Sequence, residues 1–167
     1  MTSLMFKIII IFLVILATSL PAIAKEVPTT GLPVPRFVSL KSDEVNVRTG
    51  PGSRYPISWV YHRAGMPVEV IEEFDLWRKI RDVEGTTGWV HKTMLDGKRT
   101  VIIRGKQAQI VRIDSETDAK PLLKVAPTVV TRLVECSKKW CRIQVDGRKG
   151  WIEKSSIWGV YPDEVFE

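Results

Sequence analysis

Val70-Ile71-Glu72-Glu73-Phe74-Asp75-Leu76-Trp77-Arg78-Lys79-Ile80, followed after a short turn by Gly88-Trp89-Val90, is a stretch that the chain contains twice. It returns as Leu133-Val134-Glu135-Cys136-Ser137-Lys138-Lys139-Trp140-Cys141-Arg142-Ile143, followed by Gly150-Trp151-Ile152. Trp77 and Trp140 lie 63 residues apart, and Trp89 and Trp151 lie 62 apart. The one-residue difference falls in the turn between them, where Glu84-Gly85-Thr86-Thr87 faces Asp146-Gly147-Arg148-Lys149. An apolar strand, a Trp, a Gly-containing turn and a Gly-Trp pair recurring in one order mark two copies of a single structural unit.

Working outward, each copy reads as all-β. Val45-Asn46-Val47-Arg48 alternates and runs into Thr49-Gly50-Pro51-Gly52, a strong breaker cluster. Pro67–Glu72 is a second strand and Trp77–Arg81 a third, joined through Asp82–Thr87 to Gly88-Trp89-Val90. Lys92–Leu95 reads as a short 3₁₀ turn and a closing strand. The β-branched residues between Lys98 and Ile113 favour strands as well. Short strands punctuated by Gly, Pro and Asp predict a small barrel or sandwich in each copy, over residues 36–96 and 99–162. A module of about 55 to 60 residues has little core and is marginal alone, so the short link Asp96–Thr100 predicts a packed pair.

The stretch Lys41–Gly52, taken with Trp77 and Gly88-Trp89-Val90, resembles the bacterial SH3-like (SH3b) family. The family's Asn-x-Arg-x-Gly-Pro-Gly turn is matched by Asn46, Arg48, Gly50, Pro51 and Gly52. The second copy keeps Gly150-Trp151-Ile152 and ends in Ile157-Trp158-Gly159-Val160-Tyr161-Pro162, similar to an exported two-module variant found in proteobacteria. It departs at Ile110–Glu116, where Arg112 survives and the glycines do not. The resemblance implies two tandem SH3-like barrels and a role in gripping peptidoglycan peptides or other envelope proteins. The fold alone does not name the ligand.

The N-terminus predicts the compartment. Lys7 precedes the apolar run Ile8–Ala17, and Ala22-Ile23-Ala24 supplies a small-x-small cleavage pattern, so residues 1–24 read as a secretory signal peptide. An uncleaved anchor needs about 20 apolar residues, and Thr18, Ser19 and Pro21 cut this run short. No cysteine lies near the cleavage point, and no later segment is apolar enough to span a bilayer. Cleavage removes Lys7 and no acidic residue, lowering the formal charge from +6 to +5. That dispersed charge permits attraction to an acidic envelope polymer and does not make a nucleic-acid binder. The expected location is periplasmic or secreted.

Two cysteines, Cys136 and Cys141, are the chain's whole complement. Outside the cytosol an even number reads as disulfide material, and the alternating flanks Thr131–Glu135 and Arg142–Val145 place them on facing arms of a hairpin. A redox-active pair prefers Cys-x-x-Cys at a helix N-terminus, and two cysteines with two remote histidines are too few for a metal site.

No catalytic set emerges. His62 and His91 both fall in the first copy while both cysteines fall in the second. Glu72 and Glu73 are adjacent in a strand and point to opposite faces. No phosphate or dinucleotide fingerprint is present. The chain is therefore expected to be no enzyme and to need no cofactor. Its candidate ligand contacts are Tyr55, Trp59 and Tyr61, placed in a long loop after Gly52, with Arg48 and Trp77. Large aromatics on a shallow surface give rigid contact area. Arg48 reads more readily as a brace for its turn than as a ligand clamp. Trp89 and Trp151 read as packing residues, and Trp77 and Trp140 as half-exposed residues at hairpin starts. The expected partner is peptidoglycan peptide; the alternative is a protein-interaction or structural module that joins another envelope protein and never touches the wall.

Overall fold

The computed structural model describes residues 30–165, so the signal-peptide reading lies outside the described residues. Among the described residues fourteen strands form two seven-stranded antiparallel sheets, and two 3₁₀ turns lie between strands. The first sheet holds β1 (Arg36–Leu40), β2 (Val45–Arg48), β3 (Ile57–Tyr61), β4 (Pro67–Phe74), β5 (Trp77–Arg81), β6 (Thr87–His91) and β7 (Leu95–Asp96). The second holds β8 (Thr100–Ile103), β9 (Gln109–Arg112), β10 (Pro121–Val125), β11 (Val130–Cys136), β12 (Trp140–Val145), β13 (Arg148–Glu153) and β14 (Ile157–Trp158). The strand orders are β3-β2-β6-β5-β4-β1-β7 and β10-β9-β13-β12-β11-β8-β14. Each strand of the first sheet has its counterpart seven strands later, in the same place. These are two tandem domains of one topology, as the repeat predicts.

Period-two alternation builds both cores. Val45 and Val47 are buried while Asn46 is exposed, and the apolar interior of module one gathers Leu40, Val45, Val47, Val68, Val70, Ile80 and Val90. Module two gathers Val101, Ile103, Val111, Leu133, Ile143 and Ile152 in the equivalent places. The repeated Gly-Trp has a steric cause. A Cβ on Gly88 would collide with the Val47 side chain and lie 3.2 Å from the Arg48 carbonyl. A Cβ on Gly150 would meet Val111 at 2.6 Å and the Arg112 carbonyl at 2.9 Å. Strand β2 crosses β6, and β9 crosses β13, too closely for any side chain. The following Trp then turns to the other face. Trp89 is buried and Trp151 half-buried, each with a cation over its ring: Lys79 Nζ at 5.8 Å and Arg142 at 5.9 Å from the centroids.

A bulge recurs in the central hairpin, between Val70 and Glu72 in module one and between Leu133 and Glu135 in module two. One extra residue switches which face the rest of the strand presents. Glu73 therefore comes to the interior side opposite Arg78, and Cys136 comes to the same side opposite Cys141. The cysteines form the expected disulfide, with Cα atoms 4.0 Å apart. Glu73 instead lies 3.2 Å from Arg78 Nε and 2.6 Å from Arg36 Nη2. Its oxygens also accept from Thr30 N at 2.9 Å and Thr30 Oγ1 at 2.8 Å, which ties the N-terminal segment to the hairpin. Burial pushes the Glu73 carboxyl upward, but the Thr30 amide and the Arg36 guanidinium more than reverse this and hold it at about 2.

The modules pack on one another. Phe37 of β1 lies edge-on to Trp158, centroids 4.9 Å apart, and 4.8 Å from the ring of Tyr161. Tyr161 Oη donates to Glu69 Oε1 at 2.9 Å, while Arg81 holds the other oxygen of Glu69 at 2.6 Å. Burial, then the Glu69 carboxylate, push the Tyr161 phenol above its ordinary range, so it remains a donor. Thr100 Oγ1 donates to the Gly65 carbonyl at 2.6 Å, and Arg63 Nη1 to the Thr128 carbonyl at 3.1 Å.

Candidate functional site

The predicted contact residues fall mostly on one edge of module one. Arg48 ends β2, and its Nη1 donates to the Tyr55 carbonyl at 2.7 Å. It braces the turn. Module two keeps the device, because Arg112 Nη1 donates to the Ala119 carbonyl at 2.8 Å, again seven residues on. The Tyr55 ring lies over the two glycines of the turn: a Cβ on Gly50 would stand 2.5 Å from it, and one on Gly52 3.2 Å. Gly50 and Gly52 thus make room for the chain's own tyrosine. Module two loses all three together, with Asp114, Glu116 and Ala119 in their stead.

Trp59 and Tyr61 do not lie in a loop, as the sequence reading places them; they belong to β3, the edge strand paired only with β2. Ile57-Ser58-Trp59-Val60-Tyr61 is β-branched and aromatic enough to extend once Arg48 and Tyr55 have closed the turn. Trp59 stands opposite Val47 and Tyr61 opposite Val45. Their rings meet edge-on at 6.3 Å, yet their surroundings differ. Trp59 is 56% exposed. Tyr61 packs against the core of module one and donates its hydroxyl to Asp82 Oδ2 at 2.7 Å. Asp82 Oδ1 in turn accepts from Glu84 N at 3.0 Å and Thr86 N at 2.8 Å. Burial, then Asp82, push the Tyr61 phenol above its usual range. Tyr61 is thereby a brace between β3 and the β5–β6 turn, with its hydroxyl already spent.

Trp77 is not brought to this edge. It sits on β5, two strands from β2 in the sheet order, half-buried and edge-on to His91 at 5.4 Å. His91 Nδ1 lies 2.7 Å from Thr93 Oγ1 at the start of the 3₁₀ turn, a capping role. The exposed apolar side chains of the edge are Tyr55, Ile57 and Trp59, of which the sequence reading names the first and last.

Module two presents a different surface. Trp140 is buried, although its place at a hairpin start predicts half-exposure, and it forms part of the floor of a cleft of about 610 Å³ lined also by Arg104, Lys138, Lys139, Lys154 and Trp158. This cleft went unread, although Lys138 and Lys139 directly precede Trp140 between the two cysteines. Among the described residues no three His, Cys, Asp or Glu side chains gather to hold a metal. No helix there is long and apolar enough to cross a membrane.

Two arrays with one topology, a shared Arg brace and a shared glycine crossing agree with what a family comparison finds. The bacterial SH3 domain model matches twice, at residues 41–97 and 105–159, and the chain belongs to that family. No curated protein matches it. Among solved structures it is similar to an NlpC/P60 family protein from Bacillus cereus, at 14% identity and a TM-score of 0.33, over 73% of this chain and 55% of that one. It is also similar to NlpC2 from Trichomonas vaginalis, at 10% identity and a TM-score of 0.33, over 76% of this chain and 49% of that one. The chain spans about half the length of these structures.

Proposed function

We propose that the protein is a non-catalytic binding module of the bacterial envelope that recognises cell-wall peptide along the β3 edge of module one. One observation carries this reading. Strand β3 is an exposed sheet edge five residues long that bears no charge, with Ile57 and Trp59 open to solvent. Native proteins blunt such edges with proline, lysine or a bulge, because unpaired backbone N–H and C=O groups recruit any extended chain. The equivalent edge, β10, opens on Pro121 and carries an exposed Lys124, and β3 has neither residue type within it; a register shift is common to both edges, at Ser58 in β3 and between Pro121 and Leu123 in β10. The proline and the lysine that guard the second module's edge are thus missing from the first module's strand. An extended peptide adds to such an edge through its main chain while aromatic side chains grip its surface.

The compartment belongs to the same reading. The basic start, apolar run and Ala22-Ile23-Ala24 support export, and the Cys136–Cys141 bridge suits an oxidising space. The formal charge of +5 left after cleavage at Ala24, one below the +6 of the whole sequence, favours an acidic, insoluble partner. The test is sedimentation of the protein with purified sacculi at low and high salt, beside Trp59→Ala and Ile57→Lys. Retention that survives high salt and is lost in both variants supports wall recognition by β3. Loss of wild-type retention at modest salt would leave only charge attraction. No retention in any condition would overturn the wall and favour an envelope protein strand as the occupant of the same edge.

A further inference from the structure

We infer that module two carries a separate binding site, the Trp140 cleft, which takes a short peptide bearing carboxylates. Its volume of about 610 Å³ is in the range of small-ligand sites. Arg104, Lys138 and Lys139 converge on it, are exposed, and make no ion pair or side-chain hydrogen bond among the described residues. Lys154, by contrast, is buried and donates to the Pro162 and Glu164 carbonyls at 3.1 and 2.7 Å. It holds the segment after β14 in place as a wall of the cleft. Trp140 and Trp158 supply apolar surface, and Glu153 is the one carboxylate in the lining, 3.4 Å from Ser155 Oγ.

Three unpartnered cations around an indole recognise an anion joined to an apolar stem. Charge-assisted bonds hold the carboxylate oxygens, and the aliphatic part packs on Trp140 and Trp158. The repeat supplies an internal contrast. Counting 63 residues back, Lys138 and Lys139 stand where module one has Asp75 and Leu76, and Arg104 where it has Lys41. The positive turn is therefore particular to module two. It is also anchored, because the disulfide Cys136–Cys141 closes the base of the same turn. The choice of a peptide as carrier of the carboxylates rests on the wall-binding reading above, whereas the cleft and its charge do not.

The test uses the full exported chain, labelled with ¹⁵N, and three probes: the tripeptide Ala-Glu-Ala with a free C-terminus, its uncharged counterpart acetyl-Ala-Gln-Ala-amide, and inorganic phosphate. The free peptide is expected to shift the Lys138 and Lys139 amides and the Trp140 indole N–H saturably, and the uncharged one to leave them in place. Lys138→Glu with Lys139→Glu weakens that binding by roughly tenfold or more, the size expected for losing one charge-assisted bond. Lys138→Gln with Lys139→Gln checks that the turn itself is intact. Shifts from phosphate equal to those from the peptide would overturn the peptide class and leave simple anion attraction. Shifts confined to β3, or none, would overturn the site. Because the assay contains no sacculi and leaves Trp59 untouched, its failure is distinguishable from failure of the β3 reading.

Discussion

Glu73 and Cys136 occupy one position in two modules: each ends the interior side of a central hairpin strand just past a bulge, facing a partner five residues on. Module one closes its barrel end there with a buried Glu73–Arg78 ion pair, and module two with a covalent bond. The two solutions differ in what breaks them. A reductant is expected to lower the stability of the coupled pair by about 2 kcal/mol through module two, the loop being short. Glu73→Ala is expected to destabilise module one by about 3 kcal/mol, since Arg78 is then left buried without its carboxylate. Urea unfolding with and without reductant checks both. An unchanged midpoint after reduction would remove the disulfide from the account.

The same carboxylate makes module one sensitive to acid. Glu73 is held at about 2, below its ordinary value of 4.5. A depressed folded-state value means the unfolded chain takes up the proton more readily, so stability falls as pH falls. The contribution is complete above about pH 5 and drains away between about 4.5 and 2. Thermal unfolding across this range should slope downward in the wild type. In Glu73→Gln the slope is shallower, from a lower starting stability. Parallel slopes would assign the acid response to other carboxylates.

The glycine crossings yield a sign that intrinsic propensity gets wrong. Replacing glycine by alanine within a strand would ordinarily gain about 0.5–1 kcal/mol of chain entropy. At Gly150 the new methyl would meet Val111 at 2.6 Å and the Arg112 carbonyl at 2.9 Å, and such overpacking costs about 1–3 kcal/mol. The clash wins, and Gly150→Ala and Gly88→Ala are both expected to destabilise, measured by denaturant midpoint.

Much of the fold was legible because these constraints fall on single residue types. A glycine that no Cβ can replace, an Arg bonded to the carbonyl seven residues on, and alternating valines all repeat visibly. The β3 stretch reads as loop in the sequence because Gly50, Pro51, Gly52 and Pro56 are punctuation. Nothing in the residue types says that the Tyr55 ring fills the glycine gap and lets the chain extend again. Tyr61 reads as a contact residue because an aromatic's hydroxyl partner, here Asp82 at 21 residues' remove, is invisible in one dimension. The Trp140 cleft is not legible in the sequence because its lining comes from the loop after β8, the β11–β12 turn, the stretch from the end of β13 through β14, and the segment after it.

Thr128 offers the opposite test of backbone conformation. It has φ of 66°, where its counterpart Gly65 has 75°. A left-handed conformation costs a residue with a Cβ about 1–2 kcal/mol, and a β-branched one tolerates it poorly. The side chain is exposed, so little packing is lost on removing it. Thr128→Gly is expected to raise stability by about 0.5–1 kcal/mol after the entropic cost of glycine. The carbonyl that receives Arg63 remains available. A fall in the melting temperature would show that the threonine side chain contributes something the backbone argument omits.

Phe37 decides whether the modules unfold together. It is buried between Trp158 and Tyr161, with the Arg99 guanidinium 5.9 Å from its centroid. Domains of about 60 residues are marginal alone, so each module draws stability from this contact, and the wild type should unfold in one transition. Phe37→Ala removes a buried aromatic, at a cost of about 3 kcal/mol or more. It should split unfolding into two transitions, of which only the module-two step responds to reductant. Tyr161→Phe deletes just the hydroxyl bond to Glu69, which keeps Arg81. That change should cost about 1 kcal/mol and preserve a single transition. Calorimetry of the three proteins distinguishes the cases: two transitions in the wild type would show that the interface does not couple the modules, and one transition in Phe37→Ala would place the coupling elsewhere, at the Thr100–Gly65 and Arg63–Thr128 bonds.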